Sequence, residues 1–395
     1  MKKTIVVLFL AIAFVTPAFA EGRYATITTD TTETGHSNYT ETDGSGGVFL
    51  IENPVTLTIE DNSSFSSNTA SKYGGVIELN NSNAIVNIGS KVSFDKNKSG
   101  VGGAIDIYAG TVTIGYGTSF NENKATATES GSGGAIFNEG EIISDFVYFR
   151  INSAKDQGGA ILNRGKITMK DASFWYNSAE NEGGAIYNDS SEDISFGDTV
   201  SFSDNLAKFG GAIYNNRGNI NIGNDVKFEF NDAKTGGAIY NKGTINIGNN
   251  AIFLRNMLPS YNSCGGAIYN EKNITIGRNA YFEQNTSDAG AGAIYNCSGG
   301  NITFLDGVIF KANSSKTGGG AIYNEGTMNF MAKTTNVEFE YNGLSLSGDG
   351  SSNAIYNSGG TVNLWASNNA DIIFNDRILG SSGEININNR IFDLQ

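Results

Sequence analysis

The chain is predicted to be all-β: a parallel β-helix, or solenoid, of about twelve rungs with three short strands per rung. Three observations lead there. A block close to Gly-Gly-Ala-Ile-Tyr-Asn returns twelve times, beginning at Gly46, Gly74, Gly102, Gly133, Gly158, Gly183, Gly210, Gly236, Gly265, Ala291, Gly319 and Ser352. A second block, Phe-x-x-Asn, interleaves with it at Phe65, Phe94, Phe120, Phe149, Phe174, Phe202, Phe228, Phe253, Phe282, Phe310 and Phe339. The step between blocks runs from 25 residues (Gly133 to Gly158) to 33 (Gly319 to Ser352), one supersecondary unit of a repeat protein. Third, 51 glycines against only 3 prolines fit many tight turns joined by strands that need their N–H groups.

The first element, residues 1–20, reads as a secretory signal. Lys2 and Lys3 supply the charge, residues 5–15 an apolar run, and Ala18-Phe19-Ala20 a small-residue cleavage site. That run is too short to span a bilayer, and no later segment approaches about 18 apolar residues. A mature chain starting at Glu21 is expected, with no transmembrane segment after signal removal. Losing Lys2 and Lys3 takes the net charge from −14 to −16. Such acidity argues against nucleic acid as a partner and favours solubility. Residues 21–45 follow as a Thr-rich N-terminal cap region, in which the lone histidine, His36, is expected at the surface.

The repeats occupy residues 46–378. In residues 236–264, Gly236-Gly237-Ala238-Ile239-Tyr240-Asn241 reads as a strand and Lys242-Gly243 as a turn. Thr244-Ile245-Asn246-Ile247 is a second strand, Ala251-Ile252-Phe253 a third, and Asn256 opens the loop to the next block. Residues 379–395 form a C-terminal partial rung, with a strand at Gly383-Glu384-Ile385-Asn386-Ile387.

Differences between copies show which side chains face inward. The Ile position holds only Phe49 or isoleucine, so it points to the core. The next position holds Leu50, Glu78, Asp106, Phe137, Leu162 and then tyrosine, and its tolerance of carboxylates marks it as outward. One residue further, Ile51, Leu79 and Ile107 give way to asparagines from Asn138 to Asn357, so these asparagines also point inward. An unpaired buried amide costs roughly 1–3 kcal/mol. Stacked at about 4.8 Å on successive rungs, each amide can bond the next as a ladder. Each rung buries about six apolar side chains worth roughly 1.5–3 kcal/mol each, while ordering its residues costs about 1–2 kcal/mol apiece. No rung therefore folds alone. Twelve rungs at about 4.8 Å make a rod roughly 55–60 Å long.

The residues offer little chemistry. No catalytic triad, His-based metal site, calcium loop or phosphate loop is present, so no catalytic residue, metal or other cofactor is assigned. Cys264 and Cys297 fall at opposite ends of neighbouring strands, roughly 20 Å apart, too far for a disulfide. Glu78 and Asp106, one above the other, bring two carboxylates to about 5 Å, near a retaining glycosidase's spacing. They are expected to be solvated surface acids. The stronger surface feature is a file of tyrosines, Tyr187, Tyr214, Tyr240, Tyr269, Tyr295, Tyr323 and Tyr356. Exposed rings at a regular rise suit sugar stacking or a protein contact; alternatively they stack on one another and shield the strand backbone. The loops 124–132, 257–264 and 343–351 are longer than the rest and leave one corner of the rod, a place where solenoids bind partners.

Gly-Gly-Ala-Ile paired with Phe-x-x-Asn, for example Gly210-Gly211-Ala212-Ile213 with Phe228-Glu229-Phe230-Asn231, resembles the repeats of the polymorphic outer membrane proteins of chlamydiae. The resemblance covers roughly residues 46–357. It implies a right-handed β-helix passenger on a bacterial surface, often adhesive and exported by a C-terminal autotransporter barrel. The repeats here run nearly to Gln395, leaving no room for such a barrel. The expected function is that of a secreted or surface-exposed, non-catalytic adhesin-like passenger binding a host-cell, matrix or glycan ligand. Two alternatives stand beside it. One is a polysaccharide-active enzyme using Glu78 and Asp106; the other is a structural surface protein associating end to end through an uncapped last rung.

Overall fold

A computed structural model describes residues 20–21, 25–36, 39–41, 47–128, 130–257, 264–344, 353–367, 369–387 and 390–393. The signal segment up to residue 19, the block residues Gly46 and Ser352, and most of the loops 257–264 and 343–351 lie outside the described residues. What is described is a parallel β-solenoid of about twelve turns without a helix. One turn consists of Ile239–Asn241, Thr244–Ile247 and Ile252–Leu254. Each strand pairs in parallel with its equivalent one turn on, Ile239 with Ile268, Ile245 with Ile274 and Phe253 with Phe282.

A fourth strand, in most turns only two residues long, is added to the three expected. Asp232–Thr235 pairs with Leu206–Phe209, and its equivalents build a separate nine-stranded sheet and, later in the chain, a three-stranded one. Ser153–Ala154 and Ser178–Ala179 are examples of the two-residue form. Their alanines, Ala125, Ala154, Ala179 and Ala207, pack into a cluster of their own.

The glycine pair is a steric requirement. Gly236 has φ +63°, and a methyl group there would run into the carbonyl of Ile239. At Gly237 it would meet the carbonyl of Gly266 on the next turn, so the pair lets the backbones of successive turns close up.

Inside, phenylalanines from Phe65 to Phe374 form one column, with successive rings 4.5–5.2 Å apart. The expected ladder from Asn138 to Asn357 is present, each Nδ2 donating to the next Oδ1 at 2.7–2.9 Å. Ile107 precedes the ladder and has no amide to offer, which leaves the Asn138 Oδ1 without a partner.

A second ladder runs beside it. The asparagine of Phe-x-x-Asn, placed at a loop entrance on sequence grounds, is fully buried in every copy from Asn68 to Asn342. Asn177 donates both its backbone N–H and its Nδ2 to Asn205 Oδ1 at 3.0 Å, and Nδ2 again to the Phe149 carbonyl at 3.0 Å. The residue before each asparagine is left-handed, for instance Lys96, Ile151, Tyr176, Phe230 and Tyr341 at φ 54–57°. A non-glycine residue there costs about 1 kcal/mol or more. The bend it makes turns the asparagine into the interior.

Both ends depart from expectation. In the segment expected as a cap, Ala25–Ile27 and Thr31–Glu33 continue the first two strand columns. His36 is not a surface residue: its ring packs against Tyr39, Phe49 and Phe65, and Nε2 lies 3.4 Å from Glu33. It extends the phenylalanine column, and its carbonyl accepts from Asn68 as Phe149 does from Asn177. At the other end the second ladder stops on Asp376, whose Oδ2 accepts from the Asn342 N–H at 2.8 Å and Nδ2 at 3.0 Å. Arg390–Asp393 then folds back antiparallel onto Glu384–Ile387, so that part of the last rung's edge is covered.

Candidate functional site

The column carrying the tyrosine file and the carboxylate pair is one continuous register, from Leu50 through Glu78, Asp106, Phe137 and Leu162 to Tyr187 and onward. It faces away from the core, yet from Leu50 to Tyr214 it is largely covered rather than solvated. Leu162, Tyr187 and Tyr214 form a small apolar layer outside the solenoid wall, packed by Phe137, Phe209 and Tyr240. Lys242 lies over the rings of Tyr214 and Tyr240, at 5.7 and 5.4 Å, and Arg164 lies 5.4 Å from that of Phe137.

The seven tyrosines stack on one another, with successive centroids 4.7–5.3 Å apart. Tyr187 and Tyr214 are buried, whereas Tyr240, Tyr269, Tyr295, Tyr323 and Tyr356 are half-buried and show part of each ring to solvent. Three of these hydroxyls are held: Tyr240 donates to Glu271 at 2.5 Å, and Tyr269 and Tyr295 bond Cys297 and Glu325. Burial, followed by neighbouring acidic groups, pushes the Tyr187 phenol up to about 12 and those of Tyr240, Tyr269 and Tyr295 further up. Tyr187, Tyr240, Tyr269 and Tyr295 therefore keep their phenol protons at neutral pH and present ring faces and hydroxyls.

Cys264 and Cys297 are free thiols. Both press on the ionisation of Tyr269, and burial pushes Cys297 itself to about 11. Neither is a ready nucleophile.

The carboxylate pair sits deeper than expected. Glu78 is 9% and Asp106 6% exposed. They share a cleft of about 710 Å³ with Tyr73, Tyr108, Phe137, Glu139 and Arg164. Ser130 and Ser132, from the longer loop 124–132, form part of its wall. That loop's length was the signal for this cleft in the sequence; Tyr73, Tyr108 and Arg164 gave none. Desolvation raises the Asp106 carboxyl well above the usual carboxylate range, and the charges of Glu78 and Glu139 add to the effect. Its Oδ1 has no hydrogen-bond partner. Among the described residues no group of three His, Cys, Asp or Glu side chains is placed to hold a metal ion. No helix among them is long and apolar enough to cross a membrane.

Four stretches, residues 58–79, 117–139, 199–216 and 307–325, match the Chlamydia polymorphic membrane protein repeat. Each runs from a Phe-x-x-Asn to the following Gly-Gly block. In the structure it therefore spans the left-handed bend, the second ladder and the glycine pair of one corner. No curated protein and no solved structure is matched by the chain. These four stretches are similar to the Chlamydia polymorphic membrane protein repeat, and such repeats together with the β-solenoid fit a surface-exposed, autotransporter-like passenger.

Proposed function

We propose that this chain is a secreted or surface-exposed, non-catalytic, adhesin-like solenoid that takes a host-cell, matrix or glycan ligand on its tyrosine column. The observation that carries this reading is the half-exposed run from Tyr240 to Tyr356, five rings in register along a rigid wall. Rings already fixed by stacking lose little entropy on binding, and their hydroxyls give direction to the contact. Replacing Tyr269, Tyr295 and Tyr323 together with serine is expected to weaken binding to cells or a glycan panel at least ten-fold. The corresponding triple phenylalanine variant, which keeps the rings, should retain most of it. Equal binding by both variants and the wild type would remove the column from the account.

One observation favours a second reading, hydrolysis of a polysaccharide: Glu78 and Asp106 lie on neighbouring turns of a shared cleft, where burial raises the Asp106 carboxyl above the usual carboxylate range. Incubation with a glycan panel should give no cleavage if the chain is non-catalytic. Turnover that disappears in Glu78→Gln would establish the enzyme instead.

A further inference from the structure

The cleft over Glu78 and Asp106 lies turns away from the tyrosine column's exposed part and makes a different offer. Its lining carries the carboxylates Glu78, Asp106, Glu139 and Asp156 against one cation, Arg164. That guanidinium is already engaged by Glu139 at 3.2 Å and Asp189 at 3.7 Å. Asp106 lines the cleft while 94% buried, and its Oδ1 lacks a donor. A buried oxygen without a partner is unfavourable, and a donor arriving from outside would relieve that. Tyr73 and Tyr108, 43% and 63% exposed, stand at the rim as ring faces for a cation and its alkyl stem.

We propose that this cleft is a binding site for a basic peptide segment, which inserts a lysine or arginine side chain so that its charged head meets Asp106. A metal ion is disfavoured by the absence, among the described residues, of a three-ligand group. A bare ammonium ion would fill little of about 710 Å³. Asn80, Ser130, Ser132 and Gln157 add amides and hydroxyls suited to a peptide backbone.

Binding is coupled to a proton. Asp106 faces Glu78 from the preceding turn and Glu139 from the following one, with Asp156, Arg164, Tyr73 and Tyr108 around the cleft. Its raised pKa means that the free protein holds a proton there at pH values above the ordinary 3.8. A cation favours the carboxylate, so the proton leaves to the buffer as the side chain enters.

The test is calorimetric titration of the full chain with capped Gly-Gly-Lys-Gly-Gly, its norleucine counterpart, spermidine and glucosamine, in two buffers of different ionisation enthalpy. The lysine peptide should bind at least ten-fold more tightly than the norleucine one, with proton release. Asp106→Asn should abolish the release and weaken binding at least ten-fold, and Glu78→Gln should weaken binding without abolishing release. As a folding control, Asp106→Asn should melt at or above the wild-type temperature at neutral pH, because it removes a carboxyl whose raised pKa makes the fold less stable as pH rises. Equal binding of the two peptides, no binding of the lysine peptide, or unchanged affinity in Asp106→Asn would overturn the proposal. Binding of spermidine or glucosamine alone would overturn the peptide as occupant. The triple serine variant of the tyrosine column should bind the lysine peptide normally, so the two sites fail or succeed separately.

Discussion

Within each ladder a buried asparagine is stable because the neighbouring turns supply its partners. Asn177 accepts from the Asn152 N–H and Nδ2 at 3.0 and 2.9 Å while donating onward to Asn205. Asn177→Ala strips the acceptor from two buried donors and leaves a void, so it should cost about 3–5 kcal/mol. A fall of the denaturation midpoint corresponding to less than 1 kcal/mol would contradict the ladder's role. The end of the ladder shows the same logic. Past Asn342 no further amide of this column is needed, and Asp376, an acceptor only, takes its place. The first ladder was legible in the sequence because Leu79 and Ile107 precede the asparagines in the same inward column. The second was not. Strict alternation from Phe174 would place Asn177 outward, and only the left-handed Tyr176 between them reverses its direction.

At the scale of the turn, short side chain–backbone locks join consecutive loops. Asp306, at the end of one second strand, takes the N–H groups of Lys333, Thr334 and Thr335 at 2.8, 3.0 and 2.9 Å, and the Thr334 hydroxyl as well. Burial alone would raise its pKa, but the Thr334 hydroxyl and the three backbone donors outweigh it and hold the carboxyl at about 2. A depressed pKa stabilises the fold above the unfolded value of 3.8, and the contribution is lost as pH falls through about 2. Exchange of the Lys333, Thr334 and Thr335 amides should therefore be protected at pH 5 and lose protection, relative to neighbouring strands, between roughly pH 4 and pH 2. Protection that is flat across that window would refute the lock. The three main strands were legible because hydrophobic residues recur at period two between glycines. The two-residue strands such as Ser178–Ala179 were not, since two residues carry no period.

Across the whole molecule, repetition settles shape more than chemistry. The twelve blocks made the solenoid readable, and the long loop 124–132, described apart from residue 129, is where regularity gives way to a cleft. Glu78 and Asp106 were legible as a stacked pair, yet not as buried groups, because the residues that cover them lie on other turns and in a loop without a motif. The face that continues from this cleft becomes a stacked aromatic ridge, so one side of the rod carries both an acidic cleft and a tyrosine column. A surface-exposed passenger would present that side outward. The most direct test is labelling of intact cells with an antibody against the folded solenoid, alongside the growth medium. The account predicts labelling without permeabilisation, or folded chain recovered from the medium. Detection only after the cells are opened would contradict it.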